Sequence, residues 1–335
     1  MRASGLTFLF LSRCRRLASD SKEPDMDKKE RVINAIKGEK VDAVPSGFFM
    51  HFRHNTVEEH IRFFEETDSD IVKVMNEGKL SDGTEIFTVD EYLDYVKAFG
   101  WERYISQEVA FASEVLSAYK GTGFTLSTVH GVAVTAHKLM KGKGRDYKDN
   151  LARLVSFYRE EPEKTLSALR LIAEKLSLLA LRFKEAGVDG TYYAAFGAEE
   201  GYFTDEEFSS VIMPLDREVL ASGGYAFLHI CRPASVLTRY KSYKDFVDVF
   251  NWSVNGSGVS LEEGRKLFGK TILGGLSNQT GPLVAGPEED IAAQVRALVS
   301  SSGPTGFILG ADCTIPTGTD TGRIRKAVEA ARTVL

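Results

Sequence analysis

The strongest constraint on the fold is a set of eight apolar, β-rich runs that recur along the chain and alternate with helical patterns. The runs cover residues 43–52, 71–75, 123–130, 188–194, 225–231, 249–253, 271–276 and 306–311. Strands that alternate with helices are typical of parallel sheets, and eight repeats suffice to close one. The sequence therefore predicts an α/β fold, a (β/α)8 TIM barrel with an N-terminal helical extension.

The predicted helices have recognisable starts and ends. An opening helix is expected over residues 27–37, a long one over 163–185 that stops at Gly187, and a last one over 321–335. Three segments have the spacing of a capping box: Thr56 with Glu59, Thr204 with Glu207, and Ser260 with Glu263. An open doubly wound sheet is the alternative, but no G-x-G-x-x-G motif follows an early strand.

Composition limits the kinds of partner. The chain has 335 residues, of which 43% are hydrophobic, with a net charge of −5 and a pI near 5.8, so nucleic acid is not expected as a partner. No apolar run approaches the length of a membrane span, and no membrane association is expected. A small-molecule substrate fits this composition better. Three cysteines cannot form a disulfide framework, which leaves metal binding or catalysis as their possible roles.

The first 25 residues differ from the rest and are interpreted as a leader. Arg2, Arg13, Arg15 and Arg16 all precede the first acidic residue, Asp20. This pattern resembles a transit peptide. The alternative is a disordered leader or an early start, with Met26 as the functional one. The expected location is cytoplasmic, or organellar if the leader is a targeting peptide, and residues 26–335 are expected to form the folded domain.

Candidate site residues lie where the predicted strands end, because the carboxyl ends of barrel strands surround the mouth. The predicted catalytic residues are His130, Tyr193, Asn76 and Glu77, and the predicted substrate-binding residues are His51, Trp252, Asn278 and Arg232. Lone histidines and tyrosines can equally be core residues whose polar atoms bond to the backbone. Lys73, within an apolar strand, is expected to pair with Glu77, with a substrate anion as the alternative partner.

A predicted metal site combines the ends of two strands. His229 and Cys231 are two residues apart on one strand, so their side chains point to the same face. Cys313 follows the last strand and must join them through folding. Two thiolates and an imidazole are a typical zinc ligand set, and three protein ligands leave a fourth position open for chemistry. The alternative is that the cysteines are small buried hydrophobic residues.

The stretch from Met26 to Leu335 resembles the uroporphyrinogen decarboxylase superfamily. The resemblance rests on five segments, Met26 to Val32, Asp70 to Gly78, His229 to Cys231, Gly274 to Asn278 and Gly310 to Thr314. This superfamily includes zinc-dependent methyltransferases that act with corrinoid proteins, and the catalytic half of cobalamin-independent methionine synthase. The His-x-Cys motif followed by a distant Cys resembles that methyltransferase branch.

The resemblance implies methyl transfer to a zinc-activated thiol, with a corrinoid or folate-like methyl donor that is either free or carried by a corrinoid protein partner. The alternatives are uroporphyrinogen decarboxylation in porphyrin biosynthesis, and a non-catalytic barrel. The decarboxylases have an Arg-x-x-x-Arg stretch after the first strand, where this chain has His51, Phe52, Arg53 and His54. Methionine synthase has an acidic zinc ligand on the strand after His-x-Cys, where this chain has Asn251, so the fourth ligand stays open.

Overall fold

A computed structural model describes residues 26–140, 142 and 146–334 of the chain. The predicted leader and Leu335 lie outside these residues. Among the residues described, no helix is both long and apolar enough to cross a membrane.

The described residues form an eight-stranded parallel sheet wrapped by helices, which confirms the predicted barrel. The strands are β1 (Ser46–Gly47), β2 (Ile71–Val74), β3 (Phe124–His130), β4 (Gly190–Ala195), β5 (Tyr225–Ile230), β6 (Val249–Trp252), β7 (Thr271–Leu276) and β8 (Phe307–Ala311). Hydrogen-bonded neighbours follow the order β1-β8-β7-β6-β5-β4-β3-β2, all parallel. The barrel is nearly closed, since β1 and β2 do not form a regular ladder.

The helices lie outside the sheet or across its ends. They are α1 (Lys28–Lys37), α2 (Val57–Thr67), α3 (Val89–Ala98), α4 (Trp101–Ala118), α5 (Val132–Leu139), α6 (Tyr147–Glu160), α7 (Pro162–Glu185), α8 (Asp205–Glu207), α9 (Met213–Ser222), α10 (Val254–Ser257), α11 (Leu261–Phe268), α12 (Ile291–Ser302) and α13 (Thr321–Arg332). All three predicted capping boxes are present, at the starts of α2, α8 and α11. The last helix ends at Arg332, three residues short of its predicted end.

The first strand is much shorter than the run of residues 43–52 that was predicted. Pro45 has no backbone N–H to donate to a ladder, and only its carbonyl pairs, accepting from Leu309 N at 2.8 Å. Beyond Gly47, Met50 forms an isolated bridge with Ile315, which lies after the end of β8. The ladder with β8 therefore involves Ser46 and Gly47 instead of the whole predicted run.

Buried polar contacts close the gap between β1 and β2. The Asp70 carboxylate accepts hydrogen bonds from the Ser46 N–H and hydroxyl at 2.9 and 2.8 Å, and it also binds Arg31 of α1 at 2.6 Å. The Asp70 N–H in turn donates to the Ser46 carbonyl at 3.0 Å. Buried charges need such pairing to be tolerated, so these contacts hold the two edge strands and α1 together.

Helix α1 covers the amino-terminal end of the barrel. Val32 and Ala35 on one face of α1 are fully buried and belong to the same apolar cluster as the interior side chains Phe124, Phe227 and Ile308. The Thr271 hydroxyl donates to the Ala35 carbonyl at 3.0 Å, which ties the helix to the start of β7. The interior is therefore closed at this end, and a ligand can enter only at the carboxyl ends of the strands.

Candidate active site

A cavity of about 270 Å³ opens at the carboxyl ends of the strands. It is lined by His51, Lys73, Met75, Asn76, Glu77, Thr128, His130, Val134, His137, Lys138, Tyr192, Ala194, Phe196, His229, Cys231, Arg232, Cys313 and Thr314. A water molecule occupies roughly 30 Å³ in the liquid, so the cavity holds a ligand of on the order of ten non-hydrogen atoms. This is the place where barrel enzymes carry their chemistry.

The three predicted metal ligands meet in this cavity. His229 is the fifth residue of β5, Cys231 follows that strand directly, and Cys313 lies two residues beyond β8. One ligand atom from each lies within 4.8 Å of the others, and the Cys313 sulfur is 3.2 Å from His229 Nε2. Among the residues that the structure describes, this is the one group of three or more His, Cys, Asp or Glu side chains with such spacing.

A hydrogen-bond network around Asn251 determines which nitrogen of His229 faces the cavity. The Asn251 Nδ2 donates to the carbonyls of Leu273 and Ala311, at 2.8 and 3.1 Å, so its Oδ1 must point the other way. That oxygen lies 2.5 Å from His229 Nδ1 and accepts its hydrogen. The remaining ring nitrogen, Nε2, therefore has a free lone pair directed at the cysteines. Asn251 is the partner that fixes the histidine tautomer, a contact that sequence reasoning did not identify.

The two thiols influence each other strongly. A hydrogen bond from Cys231 to the Cys313 sulfur lowers the pKa of Cys313, and the nearby His229 ring acts in the same direction against the effect of burial. The same hydrogen bond, together with burial, raises the pKa of Cys231. Cys313 is therefore the more acidic thiol of the pair. A dication between the two sulfurs would displace the protons that remain on them.

Asp312 holds the loop that carries Cys313. Its carboxylate accepts hydrogen bonds from the backbone N–H groups of Val254 and Asn255, at 3.1 and 3.0 Å, and from the Ser253 hydroxyl at 3.1 Å. Its own N–H donates to the Leu276 carbonyl at 2.9 Å. These contacts connect the ends of β6, β7 and β8, so the position of the Cys313 sulfur depends on the folded barrel mouth.

Lys73 lies in the cavity wall without the ion pair expected from sequence. Its ammonium lies 3.9 Å from the centre of the Tyr192 ring and 4.6 Å from that of Phe49. Within the described residues no carboxylate oxygen lies within 4.0 Å of Lys73, and Glu77 instead binds His51. Glu77 follows Asn76 beyond the end of β2, and its partly exposed side chain reaches the rim. The predicted ion pair between Lys73 and Glu77 was therefore wrong. Burial lowers the pKa of Lys73 to about 7.

Other predicted site residues line the same cavity. His130 Nε2 lies 2.7 Å from Lys138 Nζ, and burial, followed by the charges of Lys138 and Lys73, lowers the pKa of His130 well below its usual value. The Asn76 amide donates to the Glu108 carbonyl at 3.2 Å. The guanidinium of Arg232 lies 3.9 Å from the centre of the Tyr147 ring, on a backbone with φ of 76°.

Burial is the largest single influence on the pKa of Glu77 and raises it, but the hydrogen bond with His51 and the charges of His51, Lys73 and Lys138 together outweigh burial, so the pKa of Glu77 is lowered. The Glu77 carboxylate is therefore charged at neutral pH. Together with His51 it forms the exposed rim of the cavity, whereas Lys73, His130 and the cysteines lie deeper.

Three predicted residues do not reach the cavity. Tyr193 points to the outside of β4, where its hydroxyl binds Asp216 and accepts from the Val132 N–H at 2.9 Å. Trp252 is buried and donates to the Val259 carbonyl at 3.1 Å. Side chains alternate along a strand, so the neighbours Tyr192 and Asn251 take the inward positions instead. Asn278 donates to the Thr314 carbonyl at 2.9 Å and supports the loop after β8.

Sequence reasoning missed several lining residues. Lys138, His137 and Val134 lie on α5, directly after β3, and no strand-end rule identifies them. Phe196 follows β4 by one residue and could have been found from its position after a strand. Asn251 was visible as an inward strand residue, but only its contacts reveal its role.

The ligand atoms suit zinc in type, number and orientation. Two sulfurs and an imidazole Nε2 are the soft and intermediate donors that zinc prefers, and its bonds to them are about 2.0 to 2.3 Å long. The three atoms lie within 4.8 Å of one another, so a closure of at most about 1 Å brings them to tetrahedral geometry. Asn251 Oδ1 already accepts two hydrogen bonds, so it does not act as a fourth ligand. The site therefore offers three protein ligands and one open position facing the cavity.

The fold and this site define a TIM-barrel protein with a His-x-Cys and Cys cluster at the barrel mouth. Comparison with known proteins agrees with that class. Residues 108–334 match the family described as Uroporphyrinogen decarboxylase (URO-D). Because the match covers more than half of the chain, the protein belongs to this family. No curated protein sequence matches the chain significantly.

Two solved structures illustrate the similarity in fold. A methyltransferase from Methanosarcina mazei has 15% sequence identity and a TM-score of 0.68, and the alignment covers 91% of this chain and 98% of that one. A putative vitamin-B12-independent methionine synthase from Listeria monocytogenes has 12% identity and a TM-score of 0.51, with 87% and 96% of the two chains covered. At such identities the similarity shows a common fold.

Proposed function

We propose that this protein is a zinc-dependent methyltransferase that moves a methyl group to a thiol. The observation that carries the proposal is the convergence of His229, Cys231 and Cys313 within 4.8 Å at the barrel mouth. Zinc bound there would hold an acceptor thiol as a thiolate at neutral pH. The low net charge that remains on zinc with two sulfur ligands would keep this thiolate nucleophilic.

The chain's own residues would prepare the site in three ways. Asn251 holds His229 with Nε2 facing the cavity, and Asp312 holds the loop of Cys313. The apolar residues Met75, Val134 and Phe196 line the cavity and limit water around the acceptor sulfur. His51, Glu77 and Arg232 at the rim are positioned to contact what enters from outside.

The size of the cavity separates the two substrates. A volume of about 270 Å³ fits a small acceptor thiol and does not enclose a whole corrinoid or folate. The methyl donor would therefore approach from outside and present its methyl group at the mouth, either as a free cofactor or on a corrinoid protein partner. The presence of two cysteine thiols in the site favours a reducing compartment.

Uroporphyrinogen decarboxylation is the second candidate because the family match carries that name. A tetrapyrrole with eight carboxylates needs a wide cleft with several guanidinium groups. Among the residues that the structure describes, the cavity is lined by one arginine, Arg232, and its guanidinium lies on the Tyr147 ring. The geometry therefore favours the small-thiol substrate over the porphyrinogen.

The test measures metal content and methyl transfer on the same preparations. The wild type is expected to hold one zinc per chain, and Cys313→Ala to lose most of it and all methyl transfer while keeping the circular dichroism of the barrel. Cys14→Ala removes a cysteine outside the described residues and serves as the matched control, with zinc retained. Zinc-free wild-type protein, full activity in Cys313→Ala, or efficient turnover of uroporphyrinogen would each contradict the proposal.

A further inference from the structure

Lys73 is a buried lysine whose protonated form the site described so far does not explain. Its side chain is 4% exposed, it lies inside the barrel wall, and within the described residues its ammonium has neither a carboxylate nor a hydrogen-bond acceptor as partner. The aromatic faces of Tyr192 and Phe49 compensate only part of the lost hydration. A buried charge without a partner is unfavourable, so a negative charge that arrives with the ligand would be its natural counterpart.

The position of Lys73 connects it to the metal ligands. The Tyr192 ring beneath its ammonium also stacks on the His229 ring, with centroids 5.4 Å apart and planes at 19°. The Tyr192 hydroxyl donates to the same Asn251 oxygen that holds His229, at 2.9 Å. The negative groups that act on the Lys73 charge are Cys313, Glu77 and Cys231, two of which are metal ligands.

The net charge of the proposed site, with zinc and an acceptor thiolate bound, lacks a balancing cation. A zinc dication and the thiolates of Cys231 and Cys313 sum to zero. With zinc held by His229, Cys231 and Cys313, an acceptor thiol in the open position would lose its S–H proton to solvent and bind through its sulfur. The occupied site would then carry one net negative charge in a place shielded from water, where charges act on each other strongly.

We propose that Lys73 is the counter-ion of the acceptor thiolate and favours deprotonation of any thiol that enters the site. This inference rests on the proposed function, because it requires a metal that binds the acceptor sulfur. Lys73 is a positioning residue in this role, since it acts through the electrostatic field at the sulfur and does not itself react. The alternative, in which Lys73 binds an anionic group elsewhere on the acceptor, is tested by the same experiment.

The experiment uses Co²⁺-substituted full-length protein, in which thiolate binding to the metal changes the visible charge-transfer absorption. Two small thiols are titrated: 2-mercaptoethanol, which has no other charge, and 3-mercaptopropionate, which has a carboxylate. The variant Lys73→Met keeps an unbranched side chain against Tyr192 and Phe49, and Lys73→Gln repeats the test with a neutral polar group. Lys79→Met is the matched control, because Lys79 is exposed and does not line this cavity.

The expected result is that both Lys73 variants bind both thiols roughly tenfold or more weakly at neutral pH. The pH at which half of the thiolate complex forms should rise by about one unit, since a tenfold change in affinity corresponds to one pKa unit. Lys79→Met should bind like the wild type. Cobalt content and circular dichroism confirm that each variant is loaded and folded.

Three results would overturn the inference. Loss of affinity for 3-mercaptopropionate alone would assign Lys73 to the acceptor's anionic group. Unchanged binding of both thiols in both variants would leave Lys73 as a packing residue. If cobalt-loaded wild type binds neither thiol, the proposed function itself fails and this inference fails with it, which distinguishes that case from the first two.

Discussion

The Oδ1 atom of Asn251 lies 2.5 Å from Nδ1 of His229. The two residues are on neighbouring strands, paired in register across β5 and β6. Because the Asn251 Nδ2 is held by two backbone carbonyls, the orientation of this amide leaves His229 one possible tautomer. The strand that lacks an acidic zinc ligand thus supplies an amide that orients the histidine.

Replacing Asn251 should weaken metal binding without removing a ligand. Partners of metal-bound histidines typically contribute 10- to 100-fold in affinity, so we expect Asn251→Ala to bind zinc about tenfold or more weakly. Asn251→Asp keeps an acceptor for His229 Nδ1 and should lose less zinc affinity, although it loses the donors to Leu273 and Ala311. Competition with a chromophoric chelator measures both variants. Equal zinc affinity in wild type and Asn251→Ala would contradict this role.

His60 should make the fold sensitive to mild acid. Burial lowers the pKa of His60 to about 4, although the hydrogen bond between its Nδ1 and the Thr56 carbonyl acts in the opposite direction. Its Nε2 accepts from the Met75 N–H at 3.0 Å, a contact that protonation would break. The folded pKa lies below the unfolded value, so between about pH 6.5 and 4 the unfolded chain gains a proton that the native protein does not. The free energy of unfolding should fall by about 3 kcal/mol over this range from this residue.

The variant His60→Phe isolates that contribution. It should be less stable than the wild type at pH 7, because the Met75 N–H loses its acceptor. Its free energy of unfolding, measured by urea denaturation, should nevertheless change less between pH 7 and pH 4. The same acid dependence in both proteins would show that His60 does not cause it.

Asp216 should have the opposite effect on stability. Burial raises its pKa to about 6, although the hydroxyls of Tyr193 and Tyr243 donate to its carboxylate and oppose that shift. The native protein therefore holds a proton that the unfolded chain releases between about pH 4 and 6, and the stability due to this group falls as the pH rises through that range. An amide resembles the protonated carboxyl, so Asp216→Asn should gain up to about 3 kcal/mol relative to the wild type between pH 4 and 7.

Urea denaturation of wild type and Asp216→Asn at pH 4, 5, 6 and 7 measures this difference. A constant gap between the two proteins at all four values would contradict it. The variants at His60 and at Asp216 leave the three proposed metal ligands unchanged and should keep zinc at neutral pH.

Gly264 on α11 should not tolerate a side chain. A Cβ atom at this position would lie 2.1 Å from the Trp252 ring, which is itself fully packed against Phe268. We expect Gly264→Ala to lower stability by about 1 to 3 kcal/mol, since overpacking forces neighbouring groups to shift. Gly322→Ala on α13 is the control, because its Cβ would meet only the Asp320 side chain at 3.2 Å, and alanine favours helix. Equal thermal midpoints for both variants would contradict the packing of Trp252.

Much of the fold could be predicted because it depends on local patterns. The eight runs, the three capping boxes and the long α7 helix reflect periodicity and side-chain hydrogen bonds over a few residues. The first strand was overestimated because Pro45 interrupts a ladder that an apolar run alone would continue.

The metal cluster could be predicted in part. His229 and Cys231 share a strand face by their spacing. Cys313 joins them only in the folded barrel, where the ends of β5 and β8 surround the same mouth. The roles of Tyr192 and Tyr193 could not be separated from sequence, since both are aromatic neighbours. Their opposite directions in β4 place one ring on His229 and the other hydroxyl on Asp216.

The order of residues along this chain by itself determined the eight alternating runs, the helix starts and the shared strand face of His229 and Cys231, because each follows from spacing within one element or from the repeat of such elements. Tertiary structure alone decided that Asn251 orients His229, that Glu77 binds His51, and that Lys73 is left buried without an anion. Those outcomes depend on distances between strands far apart in sequence, and hydrogen bonds and charges depend on such distances over a few ångströms.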